Sequence, residues 1–292
     1  MPAGPLKVIQ TMLTSYLLNI GYACAALLLT TLGLAIVFGL LGVLNMAHGE
    51  FLMIGAYSVV VVQHAHLPTA LAMPLAIVVC GVLGWLVERL LIRPLYARPF
   101  DTLLATWGLS VMLREAIAAI FGRGYQDVAG ATATPISVFG TDYPLYRLLV
   151  IVGVTAALIG LAVWYSRSQA GARIKAMASN PSLARAAGIN TTLLASGTFI
   201  IGVVITGVAG VFLAPIVRVE PYMGLDYLLT SFFVLVVGGL GSLLGLVTGT
   251  VAIGGTQSIV SGILDQTAGY TAVLILSIVF LWRKPNGLIA RS

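Results

Sequence analysis

Gly33-Leu-Ala-Ile-Val-Phe-Gly39-Leu-Leu-Gly42-Val-Leu-Asn45-Met-Ala-His48-Gly-Glu50-Phe-Leu-Met-Ile-Gly55 begins as an apolar run and ends as one, with an amide, an imidazole and a carboxylate between. Lipid offers no partner to an unpaired polar group. A glycine-rich break carrying Asn45, His48 and Glu50 therefore has to face protein, a water-filled path or the membrane interface. Two readings stand at this point: part of a pathway through the membrane, or a short cytoplasmic turn between two ordinary spans. Hydropathy does not assign the turn a depth.

Working outward, the surrounding composition decides the class. Of 292 residues, 59% are hydrophobic and 8% charged, too few charges to coat a soluble globule. Mean hydropathy is +1.05. The run Tyr16 to Leu44 holds 29 residues without a charge, more than the roughly 20 a helix needs to cross the hydrocarbon core. The expected architecture is all-α, a polytopic transmembrane helical bundle of about eight crossing elements. Two of these are discontinuous and interrupted by glycine. Residues 1–292 read as a single transmembrane domain, and the N-terminal run as a retained first span, too long for a signal-peptide core.

The formal charge of +6 does not point to nucleic acid, because the basic residues flank spans and form no stripe on a soluble face. Cys24 and Cys80 lie in apolar runs and imply neither a disulfide framework nor a metal site. His64 and His66 are two apart with no third ligand nearby and read as a loop closing the short apolar run Phe51 to Gln63.

Thr69 to Val87 reads as a full span, followed by a basic cluster from Arg89 to Arg98. Asp101 is placed to cap a helix from Thr102 to Phe121. Within that helix Arg114 and Glu115 are adjacent and so do not face each other; they belong near the boundary or against a partner. Gly122 to Pro144 reads as a polar loop and Leu145 to Tyr165 as a span. The stretch 166–192 has Arg167, Arg173, Lys175 and Arg185 and no acid. The positive-inside rule makes it cytoplasmic, together with the tail Arg283-Lys284 to Arg291.

Inside that loop, Asn180 at N-cap, Pro181 at N1 and Gly188 past the end specify a two-turn helix through its ends. A helix so short is unstable alone and is expected to dock against something. The C-terminal half then needs an even number of crossings. Leu193 to Ile216 is one and a segment ending at Trp282 another, so Tyr227 to Leu264 makes two, broken at Gly238-Gly239-Leu-Gly241-Ser242. Leu228 to Val237 is then too short for a full crossing. The break Phe-Gly39-Leu-Leu-Gly42-Val-Leu44 compares with Val-Gly238-Gly239-Leu-Gly241-Ser-Leu243, and paired interruptions in two halves mark transport sites in many carriers.

Catalysis finds little support. His48 and Glu50 are two apart and diverge on a helix, and no serine stands in a nucleophile-elbow sequence. An intramembrane hydrolase is the weaker reading from another class, a self-sufficient channel or carrier the stronger. The lysines, Lys7, Lys175 and Lys284, stand in no phosphate loop, so a pump built on this chain takes its energy from another subunit.

Against this background Asn45-Met-Ala-His-Gly-Glu50-Phe-Leu-Met-Ile-Gly-Ala-Tyr57 resembles the hallmark of ABC-importer permeases of the branched-chain amino acid and urea group, first-permease branch. Arg93-Pro-Leu-Tyr-Ala-Arg-Pro-Phe-Asp-Thr-Leu-Leu-Ala-Thr-Trp-Gly-Leu-Ser110 resembles the urea-type members, and Gly238 to Gly245 and Arg283 to Leu288 complete the likeness. The resemblance implies a bacterial inner-membrane permease that pairs with a related second permease. It implies two cytoplasmic ABC ATPases, which carry the ATP and magnesium, and a periplasmic or lipid-tethered binding protein; no cofactor belongs to this chain. Asn180, Pro181, Ala184, Arg185, Ala187 and Gly188 become the coupling segment, although Ala184-Arg-Ala-Ala-Gly188 lacks the acidic residue that often opens the family's motif. Asn45, His48, Gly39, Gly42, Gly238, Gly239 and Gly241 are the candidates for the solute path, and Glu50 and Asp101 are assigned to turns. The expected solute is urea or a short amide, with branched-chain amino acids as the alternative.

Overall fold

The computed structural model describes residues 5–96, 98–129, 134–138, 140–284 and 287–289. Ala97 of the basic connector, 130–133 and 139 of the polar loop, and Pro285, Asn286 and Arg291 of the tail lie outside the described residues.

Eleven α-helices and one hairpin form among the described residues, with three short 3-10 or π turns beside them. They are α1 (Pro5–Leu41), α2 (His48–His64), α3 (Ala72–Val87), α4 (Pro99–Phe121), β1 (Pro135–Val138) and β2 (Thr141–Pro144). Next come α5 (Leu145–Arg167), α6 (Gln169–Ser179), α7 (Pro181–Ala186), α8 (Thr191–Leu213), α9 (Gly224–Gly238), α10 (Leu243–Ile263) and α11 (Gln266–Arg283). Seven are long and apolar enough to cross a membrane. The bundle is helical as expected, with both glycine-rich breaks in place.

The two ends of the bundle are chemically distinct. At one, Thr141 donates to the carbonyl of Thr11 and Tyr143 to that of Leu18, so the hairpin meets the first half of α1, while the backbone of Ala129, just before the hairpin, donates to the side chain of Gln63 at the end of α2. At the other, Gly39 approaches Gly241, and the amide of Leu288 donates to the carbonyl of Val237. The ends of α1 and α9 and the tail after α11 thus meet, and α1 also packs on α6, where the basic segment begins. α1, at 37 residues, is about 55 Å long, well beyond a roughly 30 Å hydrocarbon core.

These contacts give each helix a direction. α1 runs from the hairpin end to the basic end; residues 42–47 turn back inward, and α2 starts inside the bundle and climbs to the hairpin end. α3 descends and α4 rises. In the second half, α8 rises from the basic end, residues 214–223 turn back inward, α9 starts inside and descends, α10 rises and α11 descends. The order of α8–α11 is that of α1–α4 turned upside down. At the crossing, Gly33 of α1 lies on Gly202 of α8, and Gly49 of α2 on Gly224 of α9, each pair meeting through backbone. Only residues without a Cβ permit this approach.

This corrects the expected repeat. The stretches around Gly39 and Gly238 do not occupy equivalent places in two halves: both lie at the basic end and touch, the Cβ position of Gly39 being 3.1 Å from the Cα of Gly241. By chain order the counterpart of 42–47 is 214–223. The likeness of the two sequences reflects a shared demand for close backbone approach.

α9 has 15 residues, about 22 Å, and is too short for a full crossing, as the parity of the second half required. α2 is buried throughout from His48 to Val60, which explains why its sequence shows no polar face. Asp101 departs from its expected role: α4 begins at Pro99, with no side-chain cap, and Asp101 sits in the first turn beside Arg98 at 3.6 Å. The residue at its N-cap position is Arg98, whose guanidinium offers no acceptor to the free amides of the first turn. Asp265 does cap α11, accepting from Ala268 at 2.8 Å. Two elements were not anticipated: the β1–β2 hairpin and the amphipathic α6, capped by Ser168.

Candidate functional site: the broken segment and its seam with α4

The turn at 42–47 is braced from within. The Asn45 carboxamide oxygen accepts from the amide of Ala47 at 3.0 Å, closing a tight local turn just before α2. His48 is buried, its Nε2 2.9 Å from the carbonyl of Thr30 on α1 and its Nδ1 3.3 Å from the hydroxyl of Thr206 on α8. A carbonyl only accepts, so Nε2 carries the proton. The Thr206 hydroxyl is also directed at the carbonyl of Gly202, 2.8 Å away. His48 therefore ties the start of α2 to both long helices that cross at the centre.

Glu50 is not in a cytoplasmic turn. It lies in the first turn of α2, 1% exposed, where Ser110 donates to its Oε1 at 2.8 Å and Arg114 at 3.1 Å. Arg114 also donates to Ser110 at 2.9 Å. The expectation that Arg114 stands near a boundary or against a partner resolves to the second, and the partner is Glu50. Depth explains the difference. The chain turns back into the bundle before α2 begins, so the carboxylate is carried inward and needs a cation and a hydroxyl.

The contact belongs to a seam. Thr102, Thr106, Ser110 and Arg114 recur every four residues on one face of α4, while its outer face exposes Leu104 and Met112. The amide of Met46, within the break, donates to Thr106 at 3.1 Å. Further along, the rings of Tyr57 and Phe121 pack at 4.8 Å with their planes tilted by 46°. Arg114 stood out in the sequence by itself, but its alignment with Thr106 and Ser110 did not, although the three form a period-four polar stripe on an otherwise apolar helix.

A cavity of about 340 Å³ opens at the basic end, lined by Gly39, Trp164, Tyr165, Thr198, Gly241 and Ser242 among others. Of the expected path residues, Gly39 and Gly241 line it; Gly42, Gly238, Gly239, Asn45 and His48 do not.

α7 is built as its ends specify. Asn180 accepts from the amide of Leu183 at 3.0 Å, Gly188 adopts φ of 79°, and the amide of Ile189 reaches back to the carbonyl of Ala184. Pro181, Arg185 and Ala187 are exposed, but Ala184 is buried, with α6 and α8 the neighbouring helices, and the residue presented outward is Leu183, 67% exposed. Nearby, the last turns of α3 widen into a π-turn, Glu88–Ile92. There buried Glu88 accepts from Ser196 of α8 at 2.6 Å and from Tyr96 at 3.2 Å. Burial, then the Glu88 charge, raises the Tyr96 phenol above its usual pKa and keeps it a donor.

The family model for the branched-chain amino acid transport system permease component matches residues 16–282. The high-affinity branched-chain amino acid transport permease LivH of Salmonella typhimurium is 27% identical across 98% of this chain and 96% of its own length. BraD of Pseudomonas aeruginosa is 28% identical across 90% and 91%. The probable LivH of Methanocaldococcus jannaschii is 26% identical across 90% and 88%. No solved structure matches the chain.

Proposed function

This chain belongs to the branched-chain amino acid transport permease family, and we propose that it imports branched-chain amino acids as one permease of an ABC importer. It is a transport subunit, with ATP hydrolysis left to partner ATPases. The observation that carries the solute is the match over residues 16–282 together with relatives named for branched-chain amino acids. The expected preference for urea finds no support there, and the amino acid alternative takes its place.

The mechanism we infer is alternating access about the central crossing. The basic end, with α6 and α7, faces the cytoplasm by the excess of Arg and Lys, and a second permease, two ATPases and a binding protein complete the importer. The ATPases press on α7, whose movement passes into α8 through the Asn190 cap and, through Ser196 and Glu88, into the end of α3. Asn45 and His48 hold the break in shape and do not grip solute.

Two measurements test this. Cells deleted for the chain are expected to lose uptake of labelled leucine and keep that of labelled urea; the reverse pattern overturns the solute. Leu183→Glu, at a position with little packing to lose, is expected to reduce leucine uptake at least tenfold and to release the ATPases on gel filtration. Retained ATPases with normal uptake would remove α7 from the coupling role.

A further inference from the structure

The seam between α2 and α4 holds more hydrogen-bonding capacity than it uses. Among the described residues, Glu50 Oε2, Arg114 Nε and the Tyr57 hydroxyl are buried without a hydrogen-bond partner. The ion pair engages a single carboxylate oxygen, Oε1, which takes both Ser110 and Arg114. A purely structural Arg–carboxylate pair gains most by closing in two parallel hydrogen bonds. Leaving a buried carboxylate oxygen and a guanidinium N–H unpaired carries a desolvation cost that evolution of a simple brace has no reason to retain.

Glu50 and Tyr57 are seven residues apart on α2 and so share a face, as do Arg114 and Phe121 on α4. The segment 214–223 closes the seam from the hairpin end: Tyr222 lies under the Arg114 guanidinium at 5.6 Å, and its hydroxyl donates to Glu115 at 3.1 Å. Ile117 and Phe121, one and two turns beyond Arg114, pack on the main core cluster. The Glu50 anion and the Arg114 cation thus stand beside an apolar wall, with the Tyr57 phenol about two turns farther along the same face of α2, against Phe121. α4 is also the element most able to part from the bundle, since its outer face is exposed and its polar stripe supplies most of its named contacts.

We propose that Glu50, Arg114 and Tyr57 form a station for the zwitterionic head of an α-amino acid on the transport route. The Glu50 carboxylate receives the α-ammonium, the Arg114 guanidinium the α-carboxylate, and the Tyr57 hydroxyl a remaining carboxylate oxygen. The aliphatic side chain lies toward Ile117 and Phe121. An incoming zwitterion replaces one ion pair with two, so the protein charges are never left bare while α4 moves. Urea, which bears neither charge, gains nothing from this arrangement. The proposal rests on the amino acid reading above.

The test uses the complete transporter with its binding protein in proteoliposomes and a diazirine analogue of leucine. Photolysis during turnover is expected to label peptides containing Glu50–Tyr57 or Leu109–Phe121, with competition by leucine and none by urea. Glu50→Gln is expected to reduce that labelling at least tenfold in an assembled transporter, and Tyr57→Phe to raise the KM for leucine severalfold while leaving the ion pair intact. Leucine uptake with label confined to the cavity at Gly39 and Gly241, or with no label, overturns the station. So does unchanged KM in Tyr57→Phe, which remains informative if Glu50→Gln fails to assemble. Absence of leucine uptake by the parent protein would instead overturn the amino acid reading itself.

Discussion

Truncating Arg114 to alanine is expected to cost about 3–5 kcal/mol of stability, because it strands the buried Glu50 carboxylate without its cation. Glu50 is 2% exposed at its side chain and Arg114 12%, so water does little to replace the lost partner. The thermal midpoint of the detergent-solubilised protein measures this. The double variant Glu50→Gln with Arg114→Met should recover most of the loss, since a neutral pair of similar volume removes the stranded charge as well as the attraction. An Arg114→Ala protein that melts with its parent would mean that Glu50 reaches water after all. Failure of the double variant to recover would mean that α4 depends on the ion pair itself and not on relief from a bare charge.

The expected loss is large because of where the chain turns, and that was the part of the sequence least open to reading. Hydropathy marks the interruption at Asn45 to Glu50 but gives it no depth, and only Glu50 was assigned to a turn. Length and polarity are local, whereas depth is set by contacts with α1 and α8, such as His48 with Thr30 and Thr206. Arg114 was read as unpartnered within its helix for the same reason: its partner lies 64 positions away. By contrast the existence and start of α7 were legible, because Asn180, Pro181 and Gly188 act on their own backbone. The face it presents was not. Ala184 was expected to meet an ATPase and is turned inward, and Leu183 is exposed instead. α6 shows no apolar run because its buried residues, Gly171, Ile174 and Met177, fall every third position among polar ones. Parity predicted the short α9 correctly, since an even number of crossings is a global constraint that survives ignorance of packing.

Glycine content was the remaining misdirection, and it leads to the second large effect. The chain has 33 glycines, and those at the two visible breaks drew attention to the wrong pairing, while the closest approaches fall inside regular helices. A Cβ at Gly33 would meet the Thr206 hydroxyl and the Gly202 carbonyl, and one at Gly49 the Gly224 carbonyl. A carbonyl on a packed helix has no rotamer by which to withdraw, so the helices themselves must separate. Overpacking of side chains costs about 1–3 kcal/mol, and obstruction by backbone at the crossing of both halves is expected to exceed this. Gly33→Ala and Gly49→Ala should therefore yield little monodisperse protein on gel filtration. Gly153→Ala and Gly197→Ala, at helical positions where a Cβ meets nothing within 4 Å, should be recovered as well as the parent. They should melt slightly higher, by the ~0.5–1 kcal/mol that alanine gains over glycine within a helix. The contrast separates close packing from helix propensity, because the chemical change is the same in all four. A Gly49→Ala protein that folds and transports normally would require α2 and α9 to stand farther apart than their backbones do, and the crossing would then no longer be the pivot between the two inverted halves.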